Sequence, residues 1–266
     1  MSPMLIDIGA NITHDSFDAD RAAVIERAQA AGVSRFIVTG SDVEHSREAL
    51  ELCHQWPGVL FCTAGTHPHH AKDFAADAPD ALRALLANPE VVAVGECGLD
   101  YFRNFSPHAG QLACFEAQLA LAAEIRKPVF LHQRDAHVEF MEILKRHRQN
   151  LSSAVLHCFT GDEAELQDYL SLDLYIGITG WICDERRGSH LRELLKMIPG
   201  NRLMLETDAP YLLPRDVKPR PAHHRNEPMY LKHISEVVAA CVDKPVTQLA
   251  AETTENAQRF FGLSPV

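Results

Sequence analysis

The chain alternates short apolar runs with longer amphipathic stretches. Eight runs read as strands: Leu5–Ile8, Phe36–Thr39, Leu60–Ala64, Val91–Val94, Val129–Leu131, Ala154–Leu156, Leu174–Ile178 and Leu203–Leu205. Most are rich in Val, Ile, Leu and Phe without polar alternation, as parallel strands covered on both faces should be. Between them the period becomes helical. "DADRAAVIERAQAAG" sets Ala22, Ile25, Ala28 and Gln29 on one face and closes on Gly32. "AGQLACFEAQLALAAEIR" sets Leu112, Phe115, Leu119 and Ala122 on one stripe, and "HVEFMEILKRHR" and "GDEAELQDYLSL" behave alike. Strands alternating with helices imply a parallel sheet, and eight such units predict an α/β fold closed into a (β/α)8 TIM barrel. No Ser/Gly linker or low-complexity stretch interrupts the pattern, so residues 1–266 are expected to form one domain.

The ends of these runs carry the chemistry. The fourth leads to Glu96, with Asp100 following, the fifth to His132, the sixth to His157, and the eighth to Glu206 and Asp208; the third leads into His67, His69 and His70. In such a barrel the C-terminal strand ends share one face, where active sites are built. Neutral imidazoles and carboxylates are ligands for ions such as Zn²⁺ and Mn²⁺, and an open site of this kind lowers the pKa of water and polarises a substrate oxygen. Taken singly, each residue has a plainer reading. A histidine at a strand end is commonly a hydrogen-bonded structural residue, Glu96 alone could pair with an arginine, and Asp208 alone could cap the turn at Pro210. Glu96, His132, His157 and Asp208 together point to a metal centre, with Asp208 as ligand or as the base that takes a proton from water.

Composition narrows the class. Apolar content of 46% and charged content of 23% are those of an ordinary soluble globular protein. A formal charge of −11 argues against gripping long duplexes by neutralising many phosphates, yet allows an enzyme that handles one phosphate at a time. The seven cysteines form no CxxC pair and fit buried reduced thiols; core packing is the plainer reading of Cys97 and Cys158. Met1 to Asn11 lacks a basic stretch, and no run is apolar for the roughly 18 residues a membrane helix needs. A cytoplasmic monomer with no membrane association is expected.

The stretches "GECGLDY" (Gly95–Tyr101), "PVFLHQRDA" (Pro128–Ala136), "LHCFTG" (Leu156–Gly161), "YIGITG" (Tyr175–Gly180), "ETDAPYL" (Glu206–Leu212) and "RNEP" (Arg225–Pro228) occur in one order along the chain. Together they resemble the TatD-type metal-dependent hydrolases, nucleases with an amidohydrolase-like barrel. The resemblance implies a divalent-metal-dependent deoxyribonuclease in which Glu96, His132, His157 and Asp208 occupy ligand positions and His67 lies near the scissile phosphate. A turn residue beside Pro68 is the structural reading of His67.

The sequence departs from many family members at its start. Where they carry an HxH pair, "DIGANIT" places Gly9 and Asn11. Gly9 offers no side chain and Asn11 one neutral oxygen, so one of two ion positions should be weaker, and Mg²⁺, which favours oxygen ligands and water, becomes the expected ion, with Mn²⁺ or Zn²⁺ as alternatives. The "DIGxNxT" opening resembles the subfamily whose members look like 3′-to-5′ exonucleases on single-stranded DNA, and on RNA. Gln133, where relatives often carry Cys, is expected to tune the surroundings of the ligands. The implied reaction is phosphodiester hydrolysis by water activated at one or two ions, with Asp208 as base, Asn11 as a helper ligand or substrate contact, and His67 and Arg134 as phosphate contacts. A salt bridge to Asp135 or Glu139 is the plain alternative for Arg134. The loop "YLLPRDVKPRPAHHRNEP" carries Arg215, Lys218, Arg220 and Arg225, and "CDERRG" adds Arg186 and Arg187, a candidate basic rim; its structural reading is a surface crossover in which Asn226 caps the next helix. Tyr101, Phe102, Phe105 and Trp181 are candidates for stacking on unpaired bases. Hydrolysis of a C–N or ester bond in a small molecule, and a metal-stabilised scaffold without catalysis, are the competing functions. Nucleic-acid turnover and repair both fit a nuclease.

Overall fold

The computed structural model describes residues 4–222 and 224–265. Met1–Pro3, His223 in the loop after the eighth strand, and Val266 lie outside the described residues. The strands are β1 (Leu5–Ala10), β2 (Val33–Val38), β3 (Leu60–Ala64), β4 (Val91–Asp100), β5 (Val129–Arg134), β6 (Ala154–Leu156), β7 (Tyr175–Ile178) and β8 (Leu203–Leu205). They form one eight-stranded sheet in the order β1 to β8, parallel at the pairings β1–β2, β3–β4, β4–β5, β5–β6 and β7–β8. The fold is the expected (β/α)8 barrel. Just past β8 the chain returns to β1: Asp208 N–H donates to the Gly9 carbonyl at 2.8 Å and Asn11 N–H to the Ala209 carbonyl at 2.7 Å.

β3, β6 and β8 have the bounds that the apolar runs predict. β4 instead runs on to Asp100, so Glu96 lies inside the strand rather than at its tip. Pairing to β5 shifts register between Val94 and Cys97 and then continues, with Gly98 paired to His132 and Tyr101 N–H donating to the Arg134 carbonyl at 2.9 Å. Gly98 has a φ of 149°, and a Cβ there would land on the His132 carbonyl oxygen. The residue is a close approach, not a break.

Helix α1 (Arg21–Ala30) buries Val24, Ile25 and Ala28, whereas Ala22 and Gln29 face solvent; Gly32 follows the cap with a φ of 99°. The further helices are α2 (Val43–Gln55), α3 (Ala78–Leu86), α4 (His108–Ile125), α5 (His137–His147), α6 (Glu163–Ser171), α7 (Ser189–Leu194), α8 (Leu231–Cys241) and α9 (Val246–Phe261). In α4, Phe115, Leu119 and Ala122 are buried as expected, but Leu112 is only half-buried, and Gln111 and Gln118 take inward positions.

The chain divides into two compact units, Met1–Val38 with Cys158–Leu170 and Tyr175–Val266, and Thr39–His157 with Ser171–Leu174. In the second unit Phe115 and Phe140 stack with centroids 5.2 Å apart. In the first, Phe17, Val24 and Ala209 form a buried cluster, and Arg225 bridges Asp20 (2.8 Å) and Glu227 (2.7 Å). Arg225 is thus a structural clamp rather than a rim cation. Asn226 caps no helix: its amide is buried and donates to the carbonyls of Thr207 (2.9 Å) and Tyr211 (2.7 Å), fixing the segment that carries Asp208.

The first unit also buries Asp7 completely. Its carboxyl is pushed up from 3.8 to about 8 by burial, against hydrogen bonds from Thr207 and Gly9. A carboxyl raised on folding binds its proton more tightly in the folded chain, so stability is lost as pH climbs from the unfolded value toward the folded one. Asp7→Asn is expected to flatten that loss: between about pH 5 and about pH 8 its thermal midpoint should fall less than that of the unaltered protein. Parallel slopes in the two melting series would remove Asp7 as the cause.

Candidate metal centre

The second unit gathers His67, Glu96, His132 and His157. β3 ends at Ala64 and delivers His67, which caps the short 3-10 helix Pro68–Asp73 by accepting from His69 N–H at 3.0 Å. Thr66, just before it, is held from both sides by Gln118, whose Oε1 accepts from Thr66 N–H at 2.7 Å and whose Nε2 donates to the Thr66 carbonyl at 2.9 Å. Glu96, Gly98 and Asp100 occupy alternate positions of β4, which side chains share as one face. Gly98 leaves room between the two acids, and His132 of the paired strand fills it: Nδ1 is 2.8 Å from Glu96 Oε1 and Nε2 is 3.4 Å from Asp100 Oδ2. His157 follows β6 and brings Nε2 to 2.9 Å from the same Glu96 oxygen; His67 Nε2 lies 3.4 Å from it.

Three imidazoles therefore converge on one carboxylate oxygen. Burial alone would raise Glu96, but the imidazoles of His157 and His67 and hydrogen bonds from His132 and His157 hold its carboxyl well below the usual range. Burial pushes His67 down to about 4 against the pull of Glu96, leaving it neutral and able to ligate. Burial also acts downward on His132, yet Asp100 and Glu96 on its two sides raise it above the ordinary value. An incoming cation competes with a proton for His132, because a ligating imidazole must be neutral. His132 Nε2 is buried against Asp100, which leaves Nδ1, on the Glu96 side, as the nitrogen that can ligate. Imidazoles gathered around one buried carboxylate are a donor set suited to a divalent ion. The ligand atoms of His67, Glu96 and His132 all lie within 4.8 Å of one another.

Sequence reasoning left Asp100 and His69 without roles. His69 Nε2 is 2.8 Å from Asp100 Oδ2, and Asp100 Oδ1 accepts from the N–H groups of Phe102 (3.0 Å) and Arg103 (2.8 Å). Gln111 holds the Asp100 backbone, accepting from its N–H at 2.8 Å and donating to its carbonyl at 3.0 Å. Asp100 so orients His132 from behind, the part that carboxylates play toward ligand histidines. Gln133 Oε1 accepts from Ala136 N–H at 3.1 Å, bracing the turn after β5. The Arg134 guanidinium lies over the ring of Phe102 at 4.1 Å; Phe102 and Phe105 are exposed, while Tyr101 stacks on His108 at 3.6 Å.

Asp208 and Asn11 stand together in the first unit: Asn11 Nδ2 donates to Asp208 Oδ1 at 3.1 Å. The amide presents a donor to this carboxylate. Asp208 itself takes a left-handed φ of 55°, which aspartate tolerates better than most residues. Of the expected rim cations, Arg186 (3.4 Å) and Arg215 (3.6 Å) pair with Asp184, and Arg187 lies 5.6 Å from the ring centre of Trp181.

The model of the TatD related DNase family matches residues 6–262. This chain belongs to that family. Relatives described as "3'-5' ssDNA/RNA exonuclease TatD" are 52% identical over 259 residues in Erwinia tasmaniensis and 53% identical over 259 residues in Erwinia amylovora, each spanning 97% of this chain and 100% of the relative. A TatD-family hydrolase from Entamoeba histolytica superposes with a TM-score of 0.90 at 26% identity, covering 99% of this chain and 100% of that one. A TatD homolog from Escherichia coli K12 gives 0.89 at 27% identity, again with 99% and 100% coverage. More distant hydrolases share the barrel alone, among them an N-acyl-D-glutamate deacylase from Bordetella bronchiseptica at 13% identity and a TM-score of 0.60, covering 98% of this chain and 75% of that one. As a TatD-related nuclease, the chain places its His/Glu cluster on the family motifs "GECGLDY", "PVFLHQRDA" and "LHCFTG".

Proposed function

We propose that this chain is a 3′-to-5′ exonuclease on single-stranded DNA, with RNA as a second substrate, working with one or two divalent ions. The observation that carries the reading is the convergence of His67, His132 and His157 on Glu96 Oε1 in a member of a nuclease family. The names borne by relatives half identical over their whole length support the polarity and substrate. Glu96, His132 and His157 would hold the better-bound ion, with Asp208 at the second. Mg²⁺ is the proposed ion, because the position answering to HxH offers only Asn11; Mn²⁺ and Zn²⁺ are the alternatives. A divalent ion would supply Lewis acidity, polarising a phosphate oxygen and acidifying water.

The remaining work falls to the chain's own groups. His67, neutral near pH 7, positions the scissile phosphate through a hydrogen bond rather than a fixed charge. Arg134 provides that charge, and its guanidinium is steadied over Phe102. Asp208 takes the proton from the attacking water, with its carboxylate oriented by Asn11. The whole chain is read as one hydrolase domain acting as a monomer. Seven free cysteines support a reducing, cytoplasmic setting. Among the described residues no helix is long and apolar enough to cross a membrane.

Exposed Phe102 and Phe105, at 53% and 56% exposure, favour a substrate with unpaired bases over a small amide or ester. Phe105→Ala is expected to raise KM for a single-stranded oligonucleotide about tenfold at nearly unchanged kcat, since stacking is worth about 1–3 kcal/mol per base. The direct test is a strand labelled at its 5′ end, incubated with Mg²⁺ or Mn²⁺. Stepwise shortening from the 3′ end supports the exonuclease, whereas internal cuts or no turnover contradict it. A scaffold would bind its partner unchanged after His132→Ala.

A further inference from the structure

A second group of metal-type ligands lies in the first unit and is not used by the reaction. Cys183 ends the 3-10 helix Gly180–Cys183 that follows β7, Asp216 sits in the loop after β8, and His233 lies in the first turn of α8. One ligand atom from each, the thiol sulfur, a carboxylate oxygen and an imidazole nitrogen, all fall within 4.8 Å of one another. His233 Nε2 is 2.6 Å from Asp216 Oδ1, and the Cys183 thiol donates to the Asp216 carboxylate.

We propose that Cys183, Asp216 and His233 form a structural cation site, separate from the catalytic centre, for a borderline-soft ion of the zinc type. The donor set selects the ion. Thiolate and imidazole favour Zn²⁺ and its relatives over Mg²⁺, and the carboxylate completes a three-ligand set for a tetrahedral ion. Ligand edges around such an ion are about 3.3–3.8 Å, so a group already inside 4.8 Å closes on it with small side-chain movements. Cys183 is buried at 1% exposure, which fixes the sulfur, while Asp216 and His233 keep 37% and 28% of their side chains exposed. Solvent reaches the site from that side and can fill the fourth position. Asp216 supplies negative charge before the thiol ionises; burial and that carboxylate push the Cys183 thiol up, against the smaller pull of Arg192, which donates to the Ile182 carbonyl at 3.3 Å, so the thiolate forms as an ion binds.

The three ligands come from three segments distant in sequence. An ion here would pin the loop after β8 to both the end of the β7 loop and α8. It would stabilise the folded chain by mass action, because the unfolded chain holds no preformed site. This reading is independent of the nuclease assignment.

The test is cobalt substitution in the full-length protein stripped of metal by chelator. Co²⁺ bound by thiolate produces a near-ultraviolet sulfur-to-cobalt charge-transfer absorption that imidazole and carboxylate ligands do not. The unaltered protein should show this band on Co²⁺ titration. Cys183→Ser should lose it while keeping the visible cobalt absorption of the catalytic centre and unchanged Mg²⁺-supported hydrolysis. Zn²⁺ should also raise the thermal midpoint of the unaltered protein more than that of Cys183→Ser. If Cys183→Ser does not fold, His233→Ala on the partly exposed helix turn decides, and its band should require at least about tenfold more Co²⁺. Absence of the band from the unaltered protein, its persistence in Cys183→Ser, or an unshifted titration in His233→Ala overturns the site.

Discussion

Glu96→Gln lowers kcat on a single-stranded oligonucleotide by about 10³-fold or more while the chain remains folded. The magnitude follows from what the carboxylate does. Its Oε1 is the point on which His67, His132 and His157 converge, at 3.4, 2.8 and 2.9 Å. Glutamine keeps the shape but replaces the anion with a neutral amide, removing the charge that draws a cation there. Loss of Lewis-acid stabilisation worth about 4 kcal/mol corresponds to about 10³ in rate. The substitution should weaken the protein's need to protonate His132, because one of the two carboxylates that raise it is gone. Unchanged far-ultraviolet circular dichroism with rates down a thousandfold at saturating Mg²⁺ is the expected result. Activity within tenfold of the unaltered enzyme would remove Glu96 from the centre of the mechanism. Chelator provides the companion measurement: hydrolysis should stop on metal removal and return with Mg²⁺ or Mn²⁺.

The ease of reading this barrel from sequence has a physical cause. Strands covered on both faces must be apolar throughout, so Leu60–Ala64, Ala154–Leu156 and Leu203–Leu205 stand out at their true limits. Glu96, His132 and His157 were legible because charged or imidazole groups that follow such runs demand a reason. The supporting groups were not. Gln111 and Gln118 look like solvent-facing residues of an amphipathic helix, and their partners, Asp100 and Thr66, are set only by the fold. One signal was present: the two glutamines are two helical turns apart and share a face with Cys114, Phe115 and Ala122. Arg225 was misread for the opposite reason. Its charge suggested a phosphate contact, while Asp20 and Glu227, one of them 205 residues away, already hold it. Charge at a rim position is visible in a sequence; its neutralisation by a distant partner is not.

Asp208→Asn carries the second large effect, a fall of about 10²- to 10⁴-fold in kcat with KM little changed, the range that a positioned general base contributes. Asparagine is the informative replacement because the backbone is constrained. Asp208 has a φ of 55°, a conformation that Asn adopts as readily as Asp and that Ala resists. The new amide can turn its oxygen toward Asn11 Nδ2, preserving the contact now seen at 3.1 Å. What is lost is the charge and the proton affinity alone. The rate should therefore drop across the pH range, and the acidic limb of the kcat profile should disappear with the base that creates it. Asn11→Ala separates orientation from chemistry: the carboxylate stays but loses its donor, so a milder loss, about 10-fold to 100-fold, is expected with the acidic limb retained. The expected difference rests on one contact: Asn11, at the position of the HxH pair, donates its amide to the Asp208 carboxylate. Equal losses for Asp208→Asn and Asn11→Ala would instead make Asn11 a ligand of the second ion beside Asp208, and raising Mg²⁺ would then restore Asn11→Ala toward full rate.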